Sequence, residues 1–165
     1  MTSHLQLLAL SVDDVPVVAT IEARQHPTPW RERGFEDALR CGWHARVLRD
    51  ADQPGATLGY FVAMSAGDDE ELLTITVAPE HEGRGYGRLL LDTLVAEATA
   101  RGAERLFLEV RQSNRRAIHL YESAGFTISG MRKNYYAMPA DPVTGRLASR
   151  EDAVLMVRTL RAPAA

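Results

Sequence analysis

A glycine-rich segment in the middle of the chain carries the clearest chemical signal. Residues 83–88 read Gly-Arg-Gly-Tyr-Gly-Arg, between a predicted strand and a predicted helix. The first backbone N–H groups of a helix have no partner within it. Glycines let the backbone turn tightly and approach a bulky anion, and two arginines add positive charge. The segment therefore predicts a phosphate or pyrophosphate site, although a glycine turn without a ligand fits the same residues.

Two familiar phosphate-binding loops do not fit this segment. The P-loop of nucleotide hydrolases needs Gly-Lys followed by Ser or Thr, and here Gly87 is followed by Arg88 and Leu89. The dinucleotide fingerprint Gly-x-Gly-x-x-Gly follows the first strand of a repeated unit. Here Gly85 and Gly87 are followed by Leu90, and the loop lies in mid-chain.

Hydrophobic periodicity, glycines and prolines place the loop in an order of elements. The predicted helices cover residues 11–24, 32–41, 87–100 and 114–124, and the predicted strands cover residues 5–10, 44–48, 58–64, 72–77, 105–110, 126–132 and 153–157. The order is strand, two helices, three strands, helix, strand, helix, two strands. It indicates an α+β fold, with helices on the faces of a mixed sheet, and not a doubly wound fold.

Composition limits the classes of function. The 165 residues suit one domain, which we expect to span 1–160 with a disordered tail at 161–165. A net charge of -3 argues against a general nucleic-acid binder. No apolar run approaches the roughly 20 residues of a membrane span, and the N-terminus lacks the positive start of a signal peptide, so we expect a cytoplasmic protein. A single cysteine, Cys41, and five histidines without ligand spacing predict no metal.

The loop and the residues after it resemble the GNAT acetyltransferase superfamily. Its coenzyme A motif has the form Gln/Arg-x-x-Gly-x-Gly/Ala, and here Glu82 replaces Gln or Arg. We expect Glu82 to point into solvent. Residues 106–111, 113–114, 117–118, 120–122 and 125–126 resemble the second half of the superfamily core. The resemblance implies the GNAT fold, a mostly antiparallel sheet of six to seven strands with about four helices, and acetyl-CoA as cosubstrate.

Three further segments resemble a narrower group, the bacterial ribosomal-protein alanine N-acetyltransferases. They are Leu-Glu-Val-Arg at 108–111, Arg-Lys-Asn-Tyr-Tyr at 132–136 and Glu-Asp-Ala at 151–153; the stretch 21–30 also fits. The group modifies the N-terminal alanine of protein 18 of the small ribosomal subunit. The resemblance implies a ribosomal protein or other peptide N-terminus as partner, with neither nucleic acid nor membrane. Acetylation of lysine, an antibiotic or a polyamine stays open, as does a non-catalytic acyl-CoA-binding or partner-binding module.

Two residues are predicted to catalyse the transfer. Strand alternation places Glu109 with Phe107, opposite Leu106, Leu108 and Val110, and partial desolvation should raise the pKa of its carboxyl. The resemblance makes Glu109 the general base, whereas composition alone favours an exposed side chain. It makes Tyr121 the acid that protonates the departing thiolate, whereas a core aromatic is the alternative. With Cys41 on a distant helix, we expect direct transfer in a ternary complex, without an acetyl-enzyme.

Other residues are predicted to bind the two substrates. Asn114 is expected to bond the coenzyme near its pantetheine arm, to cap a helix, or both. The resemblance assigns acceptor binding to Trp30, Tyr135 and Tyr136, although core or edge packing fits them equally. The acidic run 68–71 is expected to be a solvated turn, or else to attract a basic peptide. The full set assigned to acetyl-CoA is Ile75, Thr76, Val77, Gly83, Arg84, Gly85, Tyr86, Gly87, Arg88 and Asn114.

Overall fold

Seven strands form one mixed sheet in a computed structural model that describes residues 4–161. The helices are α1 Val15–Gln25, α2 Glu32–Arg40, α3 Tyr86–Ala100 and α4 Arg115–Ser123. The strands are β1 Leu5–Ala9, β2 His44–Asp50, β3 Thr57–Ala66, β4 Asp69–Val77, β5 Arg105–Arg111, β6 Thr127–Met138 and β7 Ser149–Thr159. The predicted α+β class, strand number and helix number are confirmed.

The sheet order is β1-β2-β3-β4-β5-β7-β6, and every neighbouring pair except β4 with β5 is antiparallel. The parallel pairing of β4 with β5 joins only residues 70–72 to residues 106–108. Beyond that point β4 keeps its antiparallel partner β3 as far as Val77, while β5 continues beside β7. The two strands therefore diverge toward their carboxyl ends, and the sheet opens there.

Two apolar clusters cover the two faces of the sheet. On one face α3 and α4 contribute Leu90, Leu91, Leu94 and Tyr121 to a cluster with β3 to β5 and β7. On the other face α1 and α2 pack on Tyr60 and its neighbours. Each fully buried leucine contributes about 1.5–3 kcal/mol relative to exposure. Because both faces are covered, the first seven residues of β3 are all buried.

A glycine in β3 lets helix α3 lie close to the sheet. A Cβ atom on Gly59 would lie 2.7 Å from the carbonyl oxygen of Thr76 and 2.9 Å from Cδ1 of Leu90. A side chain there would displace both β4 and α3. Gly59 therefore helps to fix the start of α3 beside the end of β4, where the glycine-rich loop connects them.

The acidic run at 68–71 is not a solvated turn, and that expectation is wrong. Strand β4 begins at Asp69, and its alternation turns Glu70 inward, where it is 2 % exposed. The guanidinium of Arg101, at the end of α3, donates to both carboxylate oxygens of Glu70 over 2.6 and 2.8 Å. Arg105 forms a similar pair with Asp69 over 3.0 and 2.8 Å. These arginines pair with two of the four carboxylates, while Asp68 alone lies in an exposed turn.

Strands β6 and β7 form a hairpin longer than predicted. Tyr136 lies inside β6, and the register shifts between Arg132 and Tyr136, where Asn134 has a φ of 52°. Loop 139–148 then leads to β7 and contains one isolated bridge between Asp141 and Arg146. Within residues 4–161 no helix is long and apolar enough to cross a membrane. The expected disordered tail falls largely on residues 162–165, which are outside the described residues.

Candidate active site

The glycine-rich loop follows the end of β4 and begins helix α3. Gly83 and Gly85 have φ of 74° and 83°, a left-handed backbone that favours glycine. Gly85 is the N-cap of α3 and has no side chain to satisfy the helix. The first helical bond runs from the N–H of Leu89 to the carbonyl of Gly85 over 3.1 Å. The preceding N–H groups of residues 86–88 are therefore available to an anion.

A cavity of about 450 Å³ extends from this loop along the end of β4 to the residues of α4. Nine of the ten residues predicted to bind acetyl-CoA line this cavity. The tenth, Arg84, is exposed and does not line it. Arg88 also forms an ion pair of 2.9 Å with Asp92. The lining residues from the prediction are Ile75, Thr76, Val77, Gly83, Gly85, Tyr86, Gly87, Arg88 and Asn114.

Glu82 is exposed, as expected, with 38 % of its side chain accessible, but its carboxylate is not without protein partners. Its carboxylate accepts hydrogen bonds from Gln25 of α1 over 2.7 Å and from Arg116 of α4 over 2.8 Å. These two bonds lower the pKa of Glu82. Gln25 also donates to the carbonyl of Val77 over 2.8 Å. Glu82 thus ties the loop to both neighbouring helices, and Arg116 balances the negative charge that Glu82 introduces beside the anion site.

A second cavity of about 160 Å³ adjoins the first. The predicted base Glu109 and the predicted acceptor-binding residues Trp30 and Tyr136 line this smaller cavity. Tyr135 does not line it; that ring is 45 % exposed and packs edge-on against Tyr136 with centroids 5.0 Å apart. Both cavities share the residues His26, Ile75, Asn114, Ala117 and Tyr121. The two cavities therefore meet where β4 faces α4.

Glu109 lies on β5 with its side chain 18 % exposed, opposite the buried residues of the same strand. The Nε of Arg132 is 3.0 Å from Oε1 of Glu109, so the two side chains form an ion pair. The charge of Glu109 also raises the pKa of its neighbours: it is the main cause for Tyr135 and the second, after burial, for Glu71.

Tyr121 stands where the two cavities meet, on the buried face of α4. It is 7 % exposed and packs against Phe126 with ring centroids 5.9 Å apart. Burial raises the pKa of Tyr121, and the charge of Tyr136 adds to the effect. The phenol therefore keeps its proton at any physiological pH and can donate it. Asn114 caps the same helix, with Oδ1 accepting from the N–H of Ala117 over 3.2 Å, so its NH₂ group is the part that can reach a bound molecule.

Arg111 lines the smaller cavity and connects three segments of the chain around it. Its guanidinium donates to Thr28 over 2.5 Å and to Glu151 over 3.0 Å, and it lies 4.4 Å from the ring centre of Tyr136. Sequence reasoning gave Arg111 no role, because its partners are 83 and 40 positions away. It also missed two residues that line the same cavity: Glu22, which looks like an ordinary residue of an amphipathic helix, and His26, which lies in the loop after that helix.

Within residues 4–161 no group of three or more His, Cys, Asp or Glu side chains is arranged to hold a metal ion. The cavities instead present backbone N–H groups, a protonated phenol and three carboxylates, of which Glu82 and Glu109 are paired with arginine and Glu22 is buried. Such a set can bind an anionic donor at one end and take a proton from an acceptor at the other. The individual roles of these residues stay predictions.

Comparison with known proteins defines the class. Residues 11–126 match the model of the acetyltransferase (GNAT) family. The chain belongs to this family and is an N-acetyltransferase, an enzyme class whose members take acetyl-CoA as cosubstrate.

Individual relatives indicate which kind of N-acetyltransferase the chain is similar to. The chain is 38 % identical, over 90 % of its length and 93 % of the relative, to the [ribosomal protein bS18]-alanine N-acetyltransferase of Escherichia coli K12. It is 39 % identical to the enzyme of the same name from Haemophilus ducreyi, over 82 % of this chain and 87 % of that one. The crystal structure of the ribosomal-protein-S18-alanine N-acetyltransferase from Escherichia coli superimposes with a TM-score of 0.83, at 32 % identity, over 97 % of this chain and 96 % of that one.

Proposed function

We propose that this enzyme transfers the acetyl group of acetyl-CoA to the α-amine of a protein N-terminus, and that its acceptor is the N-terminal alanine of ribosomal protein bS18. The observation that carries the proposal is that the larger cavity, at the start of α3, meets the smaller cavity, which contains Glu109, at residues that include Tyr121. The names of relatives that match most of the chain support the choice of acceptor. An acceptor of this kind is made in the cytoplasm, where we place the reaction, and residues 1–160 would act as one catalytic domain.

The larger cavity would hold acetyl-CoA. Its pyrophosphate would accept hydrogen bonds from the N–H groups at the start of α3, at the positive end of the helix dipole. Its pantetheine arm would lie along the part of β4 beyond residue 72, where β4 no longer pairs with β5. There it would form hydrogen bonds with the backbone of β4, as an added strand does. The amide NH₂ of Asn114 is placed to bond the same arm. This arrangement would bring the thioester to Tyr121, one of the five residues that both cavities share.

The smaller cavity would hold the N-terminal residue of the acceptor. An α-amine has a pKa of about 7.7–8.0, so roughly a tenth of it is neutral at pH 7. Glu109 would take one proton from the ammonium, directly or through water. The neutral nitrogen would then attack the thioester carbon, and a C–N bond would form.

Collapse of the tetrahedral intermediate would break the C–S bond. Tyr121 would give its phenolic proton to the departing sulfur, and the nitrogen would lose its second proton as the amide forms, restoring the phenol. The products are the acetylated N-terminus, coenzyme A and the proton held by Glu109, which passes to solvent. Proton transfer of this kind contributes typically about 10²–10⁴-fold to a rate.

The test measures release of coenzyme A with a peptide that begins with the first residues of bS18. We expect acetylation at the α-amine, located by mass spectrometry, and no turnover of the same peptide with a blocked N-terminus. Spermidine and an N-terminally blocked lysine peptide serve as competing acceptors. Faster turnover of either would refute the proposed acceptor. Binding of acetyl-CoA without turnover of any amine would instead indicate a non-catalytic module.

A further inference from the structure

A buried carboxylate that the proposed mechanism does not use lies in the wall of the acceptor cavity. Glu22, on the inward face of α1, is 2 % exposed. Its Oε2 accepts hydrogen bonds from Tyr60 over 2.5 Å, from Thr74 over 3.1 Å and from Thr76 over 3.4 Å. In the part of the chain that the structure describes, its Oε1 accepts one hydrogen bond, from the backbone N–H of Trp30 at a long 3.4 Å. Oε2 is therefore held by three hydroxyl groups, whereas the hydrogen-bonding capacity of Oε1 is only weakly satisfied.

The groups that hold Glu22 are almost all uncharged. Three hydroxyl groups and one backbone N–H surround the carboxylate, and burial beside Glu22 raises the pKa of Tyr60, so its phenol stays protonated. Within residues 4–161 the sole ionisable base near Glu22 is His26, whose Nε2 is 3.7 Å from Oε2 and 2.9 Å from the hydroxyl of Thr76. By contrast, Glu70, equally buried, has the guanidinium of Arg101 against it.

A buried charge without a counter-charge is unfavourable, and a cation that reaches it gains more than it would in water. Glu22 lines the cavity that also contains Glu109, and the two carboxylates come from different walls, α1 and β5. Glu109 already has Arg132 as its partner. Among residues 4–161, Glu22 is thus the carboxylate of the acceptor cavity without an arginine partner, and its nearest base is the imidazole of His26.

We propose that Glu22 is a substrate-binding residue that receives the ammonium group of the acceptor. This inference rests on the proposed function only in requiring an amine acceptor. At pH 7 about nine tenths of an N-terminal amine arrives as ammonium. The ammonium donates to Oε1 of Glu22, which orients the nitrogen in the cavity before Glu109 removes a proton. Glu22 thereby selects amines over uncharged acceptors of the same shape.

The test compares two peptides that differ in one group. One is the alanine-starting peptide, and the other carries lactate in place of alanine, so that a hydroxyl replaces the ammonium. Binding of each is measured by calorimetry in the presence of coenzyme A, at pH 6.5. A hydrogen bond to a charged group corresponds to about 10- to 100-fold in affinity, so wild-type protein should prefer the amine by that factor. In Glu22→Gln the preference should fall below about threefold.

Tyr60→Phe is the matched control, since it removes a hydrogen bond to Glu22 but leaves the charge. It should keep the preference for the amine. If Glu22 merely supports the loop that carries Trp30, Glu22→Gln will weaken both peptides equally and lower the melting temperature, which would overturn the proposal. A preference retained in Glu22→Gln would overturn it as well.

Failure of the proposed function gives a different result. If wild-type protein acetylates spermidine but not the peptide, the acceptor has been misassigned. The same comparison is then made with spermidine and an analogue with hydroxyl groups at its ends. Loss of discrimination in Glu22→Gln would still support the role of Glu22, and unchanged discrimination would refute it.

Discussion

Substitution of Gly85 tests whether the backbone of the loop, and not its side chains, binds the donor. Gly85 has a φ of 83°, a conformation that costs a residue with a Cβ atom about 1–2 kcal/mol. A Cβ atom built on Gly85 meets nothing within 4 Å, so the expected effect of Gly85→Ala is backbone strain without a clash.

The strain can appear in two measurements. If the loop keeps its conformation, the free energy of unfolding falls by about 1–2 kcal/mol and the Kd for acetyl-CoA is unchanged. If the loop relaxes, the N–H groups at the start of α3 move away from the phosphates, and the Kd rises by up to about 5- to 30-fold. The two losses together should amount to about 1–2 kcal/mol. Calorimetric binding and urea unfolding of the same sample measure both.

Gly87→Ala is the matched control two residues further on. Gly87 does not have a positive φ, and a Cβ atom there would make ordinary contacts, 3.4 Å to Leu120 and 3.8 Å to Val77. Alanine is favoured over glycine inside a helix by up to about 1 kcal/mol, so this variant should be as stable as wild type or more so and serves as the control for stability. If Gly85→Ala changes neither the free energy of unfolding nor the Kd, or if Gly87→Ala is equally destabilised, the proposed role of the loop backbone is wrong.

Three further predictions concern catalysis and stability. Glu109→Gln should lower kcat/KM for the peptide about 10²- to 10⁴-fold at pH 7 while the Kd for acetyl-CoA stays within about twofold; wild-type kcat at every pH would remove Glu109 as the base. Tyr121→Phe should lower kcat more than it lowers the affinity for acetyl-CoA. Because burial raises the pKa of Tyr121, the wild-type pH–rate profile should show no fall from phenol ionisation below about pH 10. Such a fall would contradict the assignment of Tyr121 as the acid. Arg101→Met should reduce the free energy of unfolding, measured in urea, by about 2–3 kcal/mol; the loss is at or below the low end for a broken buried ion pair because Arg101 is partly exposed. Arg105→Met, at an exposed pair, should change the free energy of unfolding little. Equal effects of the two substitutions would show that burial of Glu70 is not the cause.

Much of the architecture follows from local patterns in the chain. The spacing of three to four residues between leucines predicts helix α3, and alternation predicts which side of β5 carries Glu109. Predicted element ends differ from the observed ends most at β4, β6 and β7. There, polar residues continue the strands, because pairing with a neighbouring strand satisfies their backbones regardless of composition.

The candidate site was predictable where its residues lie close together in sequence or resemble a known family. The loop residues and Tyr121 fall into this group, and they line one continuous cavity. The exposure of Glu82 was predicted, but its partners, Gln25 and Arg116, were not, because they are 57 and 34 positions away. Local composition contains no information about which distant side chain will reach a carboxylate.

The sequence by itself determined the order of elements, the helix start that can bind an anion and the chemical types available for catalysis, because these depend on local backbone preferences and on residue identity. Only the tertiary structure decided which charges meet. Glu70 and Glu22 are both buried, yet the end of α3 brings Arg101 to the first, while the second is surrounded by hydroxyl groups. Charge interactions act through space at distances of a few ångströms, and the packing of helices on the sheet sets those distances.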